Sequence, residues 1–102
     1  MREQYINPET KSQVDLTPLQ RSSLTIDGYI ISMVSTPRAH RGLGGASFLM
    51  ELVLADADRE GIILELEILP SGPMNYGALK AWYNRLGFNQ IDDNWYVRYP
   101  KV

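Results

Sequence analysis

The sequence contains no cysteine and a single histidine, His40, in 102 residues. The lack of cysteine excludes a disulfide framework, a thiolate nucleophile and a zinc–thiolate site, and a lone histidine excludes a multi-histidine metal centre. No apolar run approaches the roughly 20 residues that span a bilayer, and residues 1–4 lack the apolar core of a signal peptide. These absences predict no bound metal and no membrane segment, with the cytoplasm as the default location.

Neither basic nor acidic residues are in large excess. Ten basic and 12 acidic residues leave a net charge of −2, and the two signs are mixed along the chain. Nucleic-acid binding needs a concentrated basic face, so we expect no nucleic-acid partner. The length suits one domain over residues 1–102 with a single core, and a hydrophobic content of 44% is ordinary for a globular protein.

The chain does have a glycine-rich turn, with the sequence Arg41-Gly42-Leu43-Gly44-Gly45-Ala46. An apolar run over residues 29–34 precedes it and a helical pattern follows, so backbone N–H groups at the helix start converge on one point. The glycines allow close approach and unusual φ values, and Arg41 adds a charge-assisted donor beside Arg38 and His40. The pattern predicts a phosphate-binding turn, with a purely structural turn as the alternative. No Lys-Ser/Thr pair follows the glycines, which argues against a nucleotide-hydrolysing P-loop.

The first third of the chain predicts strands and turns. We expect residues 22–26 and 29–34 to form a hairpin across Asp27-Gly28, and residues 12–16 to form another strand. Asn7 to Thr10 is typical of a turn. The Thr17-Pro18 pair is expected to interrupt regular structure around it.

The remainder predicts two helices and three strands. A helical period over residues 44–60 ends at Gly61, and a β-rich run over residues 62–69 follows, as in a parallel strand–helix–strand crossover. A second helix is predicted over residues 78–86, and a terminal hairpin joins residues 88–91 to 95–99. The expected apolar face of the first helix comprises Phe48, Leu49, Leu52 and Val53, extended by Ala46, Ala55 and Ala57. That of the second comprises Leu79, Trp82, Tyr83 and Leu86.

Two short patterns occur in the order found in one known family. Arg/Gln-x-x-Gly-x-Gly/Ala falls on Arg41, Gly44 and Ala46, and Tyr-x-x-x-Gly-Phe begins at Tyr83 and ends at Phe88. With the elements between them, they make roughly the last three quarters of the chain resemble the Gcn5-related N-acetyltransferase (GNAT) family. The resemblance implies an α/β (α+β) fold: a mixed, mostly antiparallel central sheet, a parallel splayed strand pair and two main helices. The short segment before residue 29 implies that the family's N-terminal helices are reduced or absent.

The resemblance also implies acetyl-CoA as co-substrate. Its pantetheine amides would pair with the splayed strand at Met33, Val34 and Ser35. Its diphosphate would rest on the amides of the turn, from Arg41 through Gly42, Leu43, Gly44 and Gly45 to Ala46. Asn75 is a further candidate contact, one residue out of the usual register.

Three residues are candidates for proton transfer. The resemblance gives Tyr83 a place near the thioester, as a cofactor contact and as the acid that protonates the leaving thiolate. A phenol with a pKa near ~10 is protonated at neutral pH, although an aromatic residue at helical spacing is also typical of a core. Glu67 and Glu65 share one strand face about 7 Å apart and are candidate bases, or else the solvent-facing side of the strand.

The leading hypothesis is therefore direct acetyl transfer to a primary amine, with a protein lysine among the acceptors. The alternatives are a non-catalytic acyl-CoA-binding or protein-interaction module, and an unrelated phosphate-binding domain. The reduced acceptor half leaves three hypotheses: a macromolecular acceptor supplies the groove, a homodimer covers the sheet, or the domain does not turn over. The aromatic candidates for such an interface are Trp82, Trp95, Tyr96 and Tyr99.

Overall fold

The computed structural model describes residues 1–19, 28–69 and 75–101. Within these residues the chain forms one six-stranded sheet and two α helices. The elements in chain order are β1 (Gln4–Ile6), β2 (Gln13–Pro18), β3 (Gly28–Ser35), α1 (Gly45–Glu60), β4 (Ile63–Glu67), α2 (Tyr76–Arg85), β5 (Asn89–Asp92) and β6 (Trp95–Arg98). The strand predicted over residues 22–26 and most of its turn lie outside the described residues.

The sheet is mixed and mostly antiparallel. Its strand order is β1-β2-β3-β4-β6-β5, and β3 with β4 is the one parallel pair in the described part of the chain. The β3–α1–β4 segment is the predicted parallel crossover, and β5–β6 is the predicted hairpin. The fold class expected from the sequence is confirmed.

The parallel strands β3 and β4 diverge along their length. Their pairing starts at Gly28 with Ile63 and ends at Ile30 with Glu65, although β3 continues to Ser35 and β4 to Glu67. Beyond that point the described partner of β3 is β2, and that of β4 is β6. The two strands therefore frame a gap, which is the splay that the family resemblance implied.

Both described helices pack on one face of the sheet. On this face Tyr96 bonds the Tyr76 hydroxyl of α2 at 2.6 Å, and Arg98 makes two hydrogen bonds to Asp58 of α1, at 2.8 and 3.0 Å. The opposite face carries Glu65 and Val97, which pair across β4 and β6. The buried core lies between the sheet and the helices; it comprises Tyr5, Val14, Leu16, Ile31, Leu49, Met50, Val53, Ala57, Ile62, Leu64, Leu66, Ile68, Tyr83, Phe88 and Tyr96.

The prediction that Thr17-Pro18 interrupts regular structure is wrong. Strand β2 runs through Pro18, which pairs with Tyr29 of β3. The Leu16 N–H donates to Glu3 O on the β1 side, so the nitrogen of Pro18, two residues further on, points to the same edge. Strand β1 pairs no further than Asp15, and a proline is tolerated where a strand has no neighbour to bond.

The predicted apolar face of α1 is rotated relative to the observed one. Leu49, Val53 and Ala57 are buried as expected, and Met50 joins them. Phe48 is 53% exposed and Leu52 is 42% exposed, and both were predicted to face the core. Apolar residues occur on several sides of this helix, so periodicity alone did not determine which side meets the sheet.

Candidate functional site

The glycine-rich turn connects a short 3₁₀ helix, Arg38–His40, to the start of α1. Gly42 and Gly44 adopt left-handed conformations with φ of 85° and 76°, which residues with side chains rarely adopt. A Cβ at either position would meet no atom within 4 Å, so the space beside both is open. The turn therefore presents bare backbone to its surroundings.

The start of α1 has donors without a side-chain cap. Gly44 is the N-cap residue and no side chain caps the helix. The Phe48 N–H makes the bond to Gly44 O at 2.9 Å that begins the helical ladder. The amides of Gly45, Ala46 and Ser47 precede that bond and have no partner within the helix, and the partial positive charge of the helix start favours an anion beside them.

Cationic side chains stand at the entry to the turn. Arg41 is exposed, and its Nε donates to the Thr36 carbonyl at 3.1 Å, which holds the guanidinium beside the turn. Arg38 is also exposed, in the 3₁₀ helix that leads into the turn. The predicted combination of backbone donors and positive charge is present at one place.

Gly45 differs from the other two glycines. It has no positive φ, and it is buried against the loop between β1 and β2. A Cβ here would overlap Thr10 Oγ1 and Ser12 Oγ. The sequence predicted an unusual φ and approach to a ligand at Gly45, whereas the structure shows a close contact with that loop.

The three candidate strand residues lie beyond the splay. Met33, Val34 and Ser35 follow the last β3–β4 pair, so their β4-side edge borders the gap. Met33 is 40% exposed, Ser35 is exposed and Val34 is half-buried. Thr36 and Pro37 alone separate this edge from the 3₁₀ helix. The strand edge that borders the gap is therefore close in sequence to the glycine-rich turn.

Tyr83 is a buried member of α2. Its ring lies 4.9 Å from that of Trp82 and 5.6 Å from that of Phe88, measured between centroids. Burial raises the pKa of Tyr83 to about 12, and its hydroxyl makes no hydrogen bond to another described residue. The phenol therefore keeps its proton throughout the neutral range, as either a core residue or an acid would.

The two glutamates occupy the face of the sheet opposite the helices. Glu65 pairs with Val97 and Glu67 with Trp95, whereas Leu64 and Leu66 on alternate positions belong to the core. Glu65 is buried at 9% exposure and lines a shallow pocket with Ile63 and Val97, while Glu67 is exposed. Tyr83 and the glutamates thus lie on different sides of the sheet, and the gap between β3 and β4 opens beside both glutamates.

Asn75 is the N-cap residue of α2. Its Oδ1 accepts a hydrogen bond from the Ala78 N–H at 2.9 Å, as is typical of asparagine at this position. The capping bond occupies the side-chain oxygen, while the amide nitrogen retains its donors for another partner.

Two polar residues near the turn were not predicted from the sequence. The Ser12 hydroxyl bonds that of Thr36 at 2.8 Å, and the Thr36 carbonyl accepts the bond from Arg41. One signal was available for Ser12. It lies at the same strand spacing as Val14 and Leu16, which indicates a buried position occupied by a polar side chain.

Residues 1–19, 28–69 and 75–101 lack both a candidate metal cluster and a membrane-spanning helix. They contain no cluster of three or more histidine, cysteine, aspartate or glutamate residues able to hold a metal ion. They also contain no helix of the length and apolarity needed to cross a membrane.

A mixed sheet with one diverging parallel pair, followed by a glycine-rich turn into a helix, is a GNAT-like arrangement. Among solved structures, the chain is similar to a tyrosine-to-phenylalanine mutant of the toxin AtaT, bound to the C-terminus of the antitoxin AtaR and acetyl-CoA. The TM-score is 0.50 and the sequence identity 20%, over 86% of this chain and 56% of the AtaT chain. This likeness supports the fold, and the chain spans little more than half of AtaT. No protein-family model and no curated protein matches the sequence.

Proposed function

We propose that the protein is an acetyl-CoA-dependent N-acetyltransferase that transfers the acetyl group directly to a primary amine. The observation that carries the proposal is the divergence of β3 from β4 immediately before an uncapped, glycine-rich helix start. The structural neighbour AtaT, which was solved with acetyl-CoA bound, supports the same ligand.

The donor groups of the site suit the two halves of acetyl-CoA. Its diphosphate is an anion, which the amides from Arg41 to Ala46 and the Arg41 guanidinium would bind. Its pantetheine arm carries amides that would pair with the strand edge at Met33, Val34 and Ser35, as an added strand does at an open sheet edge. Asn75 would add a contact through its amide nitrogen.

Bound acetyl-CoA supplies the acetyl group as a thioester. The neutral amine nitrogen forms a bond to the acetyl carbon and loses a proton, the carbon–sulfur bond breaks, and the thiolate gains a proton. Tyr83 would donate that proton, since its raised pKa keeps the phenol protonated until the thiolate forms. The amine must first lose a proton, and Glu67 or Glu65 would receive it on the opposite face.

The positions of these groups imply a direction for the acceptor. Because Tyr83 lies on the face that carries both described helices and the glutamates lie on the opposite face, the acceptor amine would approach the gap from the side opposite the described helices. Neither described helix forms a groove there. We therefore propose a protein lysine as the acceptor, with the groove supplied by the acceptor protein or by a second copy of this chain.

Calorimetry with acetyl-CoA and release of free thiol with amines and lysine peptides test the proposal. We expect binding, and Arg41→Ala should weaken it by about 1–3 kcal/mol because a charged hydrogen bond is lost. The control is Arg59→Ala, at an exposed arginine in the last turn of α1, which should leave the affinity unchanged. No heat and no thermal shift at millimolar acetyl-CoA would contradict the proposal.

The same assay separates an enzyme from a binding module. Binding without thiol release from any amine would favour a non-catalytic acyl-CoA-binding domain. Tyr83→Phe and Glu67→Gln should each lower kcat while leaving the affinity for acetyl-CoA close to wild type. Unchanged rates in both variants would show that the two roles are misassigned.

A further inference from the structure

A short chain of buried hydroxyls lies beneath the start of α1. Thr10 Oγ1 bonds Ser12 Oγ at 2.8 Å, and Ser12 Oγ bonds Thr36 Oγ1 at 2.8 Å. Ser12 is 0% exposed and Thr10 is 7% exposed. The chain joins the loop after β1, the residue before β2 and the residue after β3.

The position of Ser12 does not require a hydroxyl for burial. Its strand neighbours on the same face, Val14 and Leu16, are core residues. A buried hydroxyl is costly unless it is hydrogen-bonded, and a small apolar side chain would avoid that cost. The Ser12 hydroxyl makes directional bonds to Thr10 and Thr36, whereas a methyl group would make only van der Waals contact with them. This difference indicates that the hydroxyl orients the two segments relative to each other.

Both ends of the glycine-rich turn rest on this hydroxyl chain. At the first end, Thr36 accepts the Arg41 Nε bond through its carbonyl while its hydroxyl bonds Ser12. At the second end, Gly45 lies against Thr10 and Ser12 so closely that no Cβ fits. Ser12 therefore contributes to the support of both ends, although it lies far from the turn in sequence.

This arrangement bears on binding through preorganisation. Gly42 and Gly44 are flexible residues with open space around them, and they have the freedom to adopt many conformations when unsupported. Donors that are fixed before the ligand arrives lose less conformational entropy on binding. Fixing both ends of a short turn restricts the amides between them.

We propose that Ser12 is a positioning residue, which holds the turn in the conformation that aims its amides at one point. The identity of the anion, the diphosphate of acetyl-CoA, rests on the proposed function. The fixing of the turn does not depend on it.

Ser12→Ala tests the proposal, with Ser32→Ala as the matched control. Ser32 is an exposed serine of the neighbouring strand β3, and its hydroxyl donates to the Asp15 carbonyl at 3.1 Å, away from the turn. We expect Ser12→Ala to accelerate amide hydrogen exchange at residues 48–50, the first hydrogen-bonded amides of α1, in the free protein, relative to the rest of the helix. We also expect an affinity for acetyl-CoA about three- to ten-fold weaker, the range for one lost hydrogen bond. Ser32→Ala should match wild type in both measurements.

A double-mutant cycle with Arg41→Ala separates positioning from a general loss of stability. Because both residues act through one turn, the two losses of affinity should be less than additive. Losses that add fully, or wild-type exchange and affinity in Ser12→Ala, would overturn the proposal. If Ser12→Ala does not fold, Thr36→Val removes the next hydroxyl at constant shape, and Thr36→Ser should restore wild-type exchange and affinity.

The two proposals fail in different ways. Hydrogen exchange is measured without ligand, so it tests the fixing of the turn alone. Wild-type protein that does not bind acetyl-CoA would overturn the proposed function, while faster exchange confined to residues 48–50 in Ser12→Ala would still support positioning.

Discussion

Gly42, Gly44 and Gly45 are near neighbours in the chain, but the structure requires glycine at them for different reasons. Gly42 and Gly44 have positive φ with open space beside them, so the backbone conformation is what excludes other residues. Gly45 has ordinary helical geometry, and what excludes a side chain there is the loop beneath it. Gly42 and Gly44 therefore shape the open side of the turn, and Gly45 lets the start of α1 pack against the loop between β1 and β2.

Gly45→Ala should therefore destabilise the protein even though alanine is the better helix former. The added methyl overlaps Thr10 Oγ1 and Ser12 Oγ, and overpacking of this kind costs about 1–3 kcal/mol. The control is Gly77→Ala in α2, where a Cβ would make only an ordinary contact, at 3.5 Å from Asn75 Oδ1. That change should be neutral or stabilise by up to about 1 kcal/mol. Urea unfolding measures both; a Gly45→Ala variant as stable as wild type would contradict the packing.

At the scale of elements, sequence patterns predicted existence and order better than orientation. The parallel crossover, α2 and the terminal hairpin follow from periodicity and turn residues. Strand β1 was missed because it has three residues, of which Tyr5 alone is buried. The rotation of α1 was missed because its apolar residues surround the helix. The observed buried face includes Gly45, and Leu49, Val53 and Ala57 follow it at intervals of four residues.

Arg98 connects three elements in a way that no local pattern shows. It lies in β6, its Nε donates to the Leu86 carbonyl just after α2 at 3.0 Å, and its guanidinium forms the paired hydrogen bonds to Asp58 in α1. Its side chain is 3% exposed and that of Asp58 is 28% exposed. Because Leu86 lies one turn beyond Tyr83, the same contact also fixes the end of the helix that carries the candidate acid.

Asp58→Ala should destabilise the protein by about 2–4 kcal/mol, because it leaves the buried Arg98 charge without its partner. The bonds to Arg98 lower the pKa of Asp58 below its usual 3.8, so the unfolded state binds a proton at higher pH than the folded state. Its contribution is complete above about pH 4 and is lost as the pH falls below that value. The difference in unfolding free energy from wild type should therefore shrink in acid.

The comparison for that experiment is Arg59→Ala, which removes an ion pair with Asp56 from a side chain that is 66% exposed. An exposed pair contributes about 0–1 kcal/mol, so this variant should stay close to wild type. Equal losses of unfolding free energy in the Asp58 and Arg59 variants would show that the burial of Arg98 does not determine how much its ion pair stabilises the protein.

At the scale of the whole molecule, the sequence indicated the proposed cofactor half of the candidate site more fully than its proposed acceptor half. The turn is a local feature formed by consecutive residues, and its glycines predicted it, whereas the splay of β3 from β4 was expected from the family resemblance. The separation of Tyr83 from Glu65 and Glu67 depends on which face of the sheet receives the helices. Tertiary packing decides which face that is. Alternation within one strand predicts that the two glutamates share a face, but it does not predict their position relative to α2.

The single core also predicts how the whole molecule responds to alkali. Burial raises the pKa values of Tyr5, Tyr83 and Tyr96 to about 12 each, with Asp56 also raising that of Tyr5 and Tyr76 that of Tyr96. In the unfolded chain a tyrosine ionises near pH ~10, so between about pH 10 and 12 the folded state binds more protons. The free energy of unfolding should therefore fall as the pH rises through this window.

Urea unfolding of wild type and Tyr83→Phe at a series of pH values isolates one of these contributions. From pH 7 to 9 the phenol is protonated in both states, so the difference in unfolding free energy between the two proteins should stay constant. From about pH 10 to 12 wild type should lose stability faster than Tyr83→Phe, because the variant has one fewer buried phenol to ionise. Parallel curves throughout that range would mean that Tyr83 ionises alike in both states, and that its ring is not held away from water as the packing of α2 on Phe88 requires.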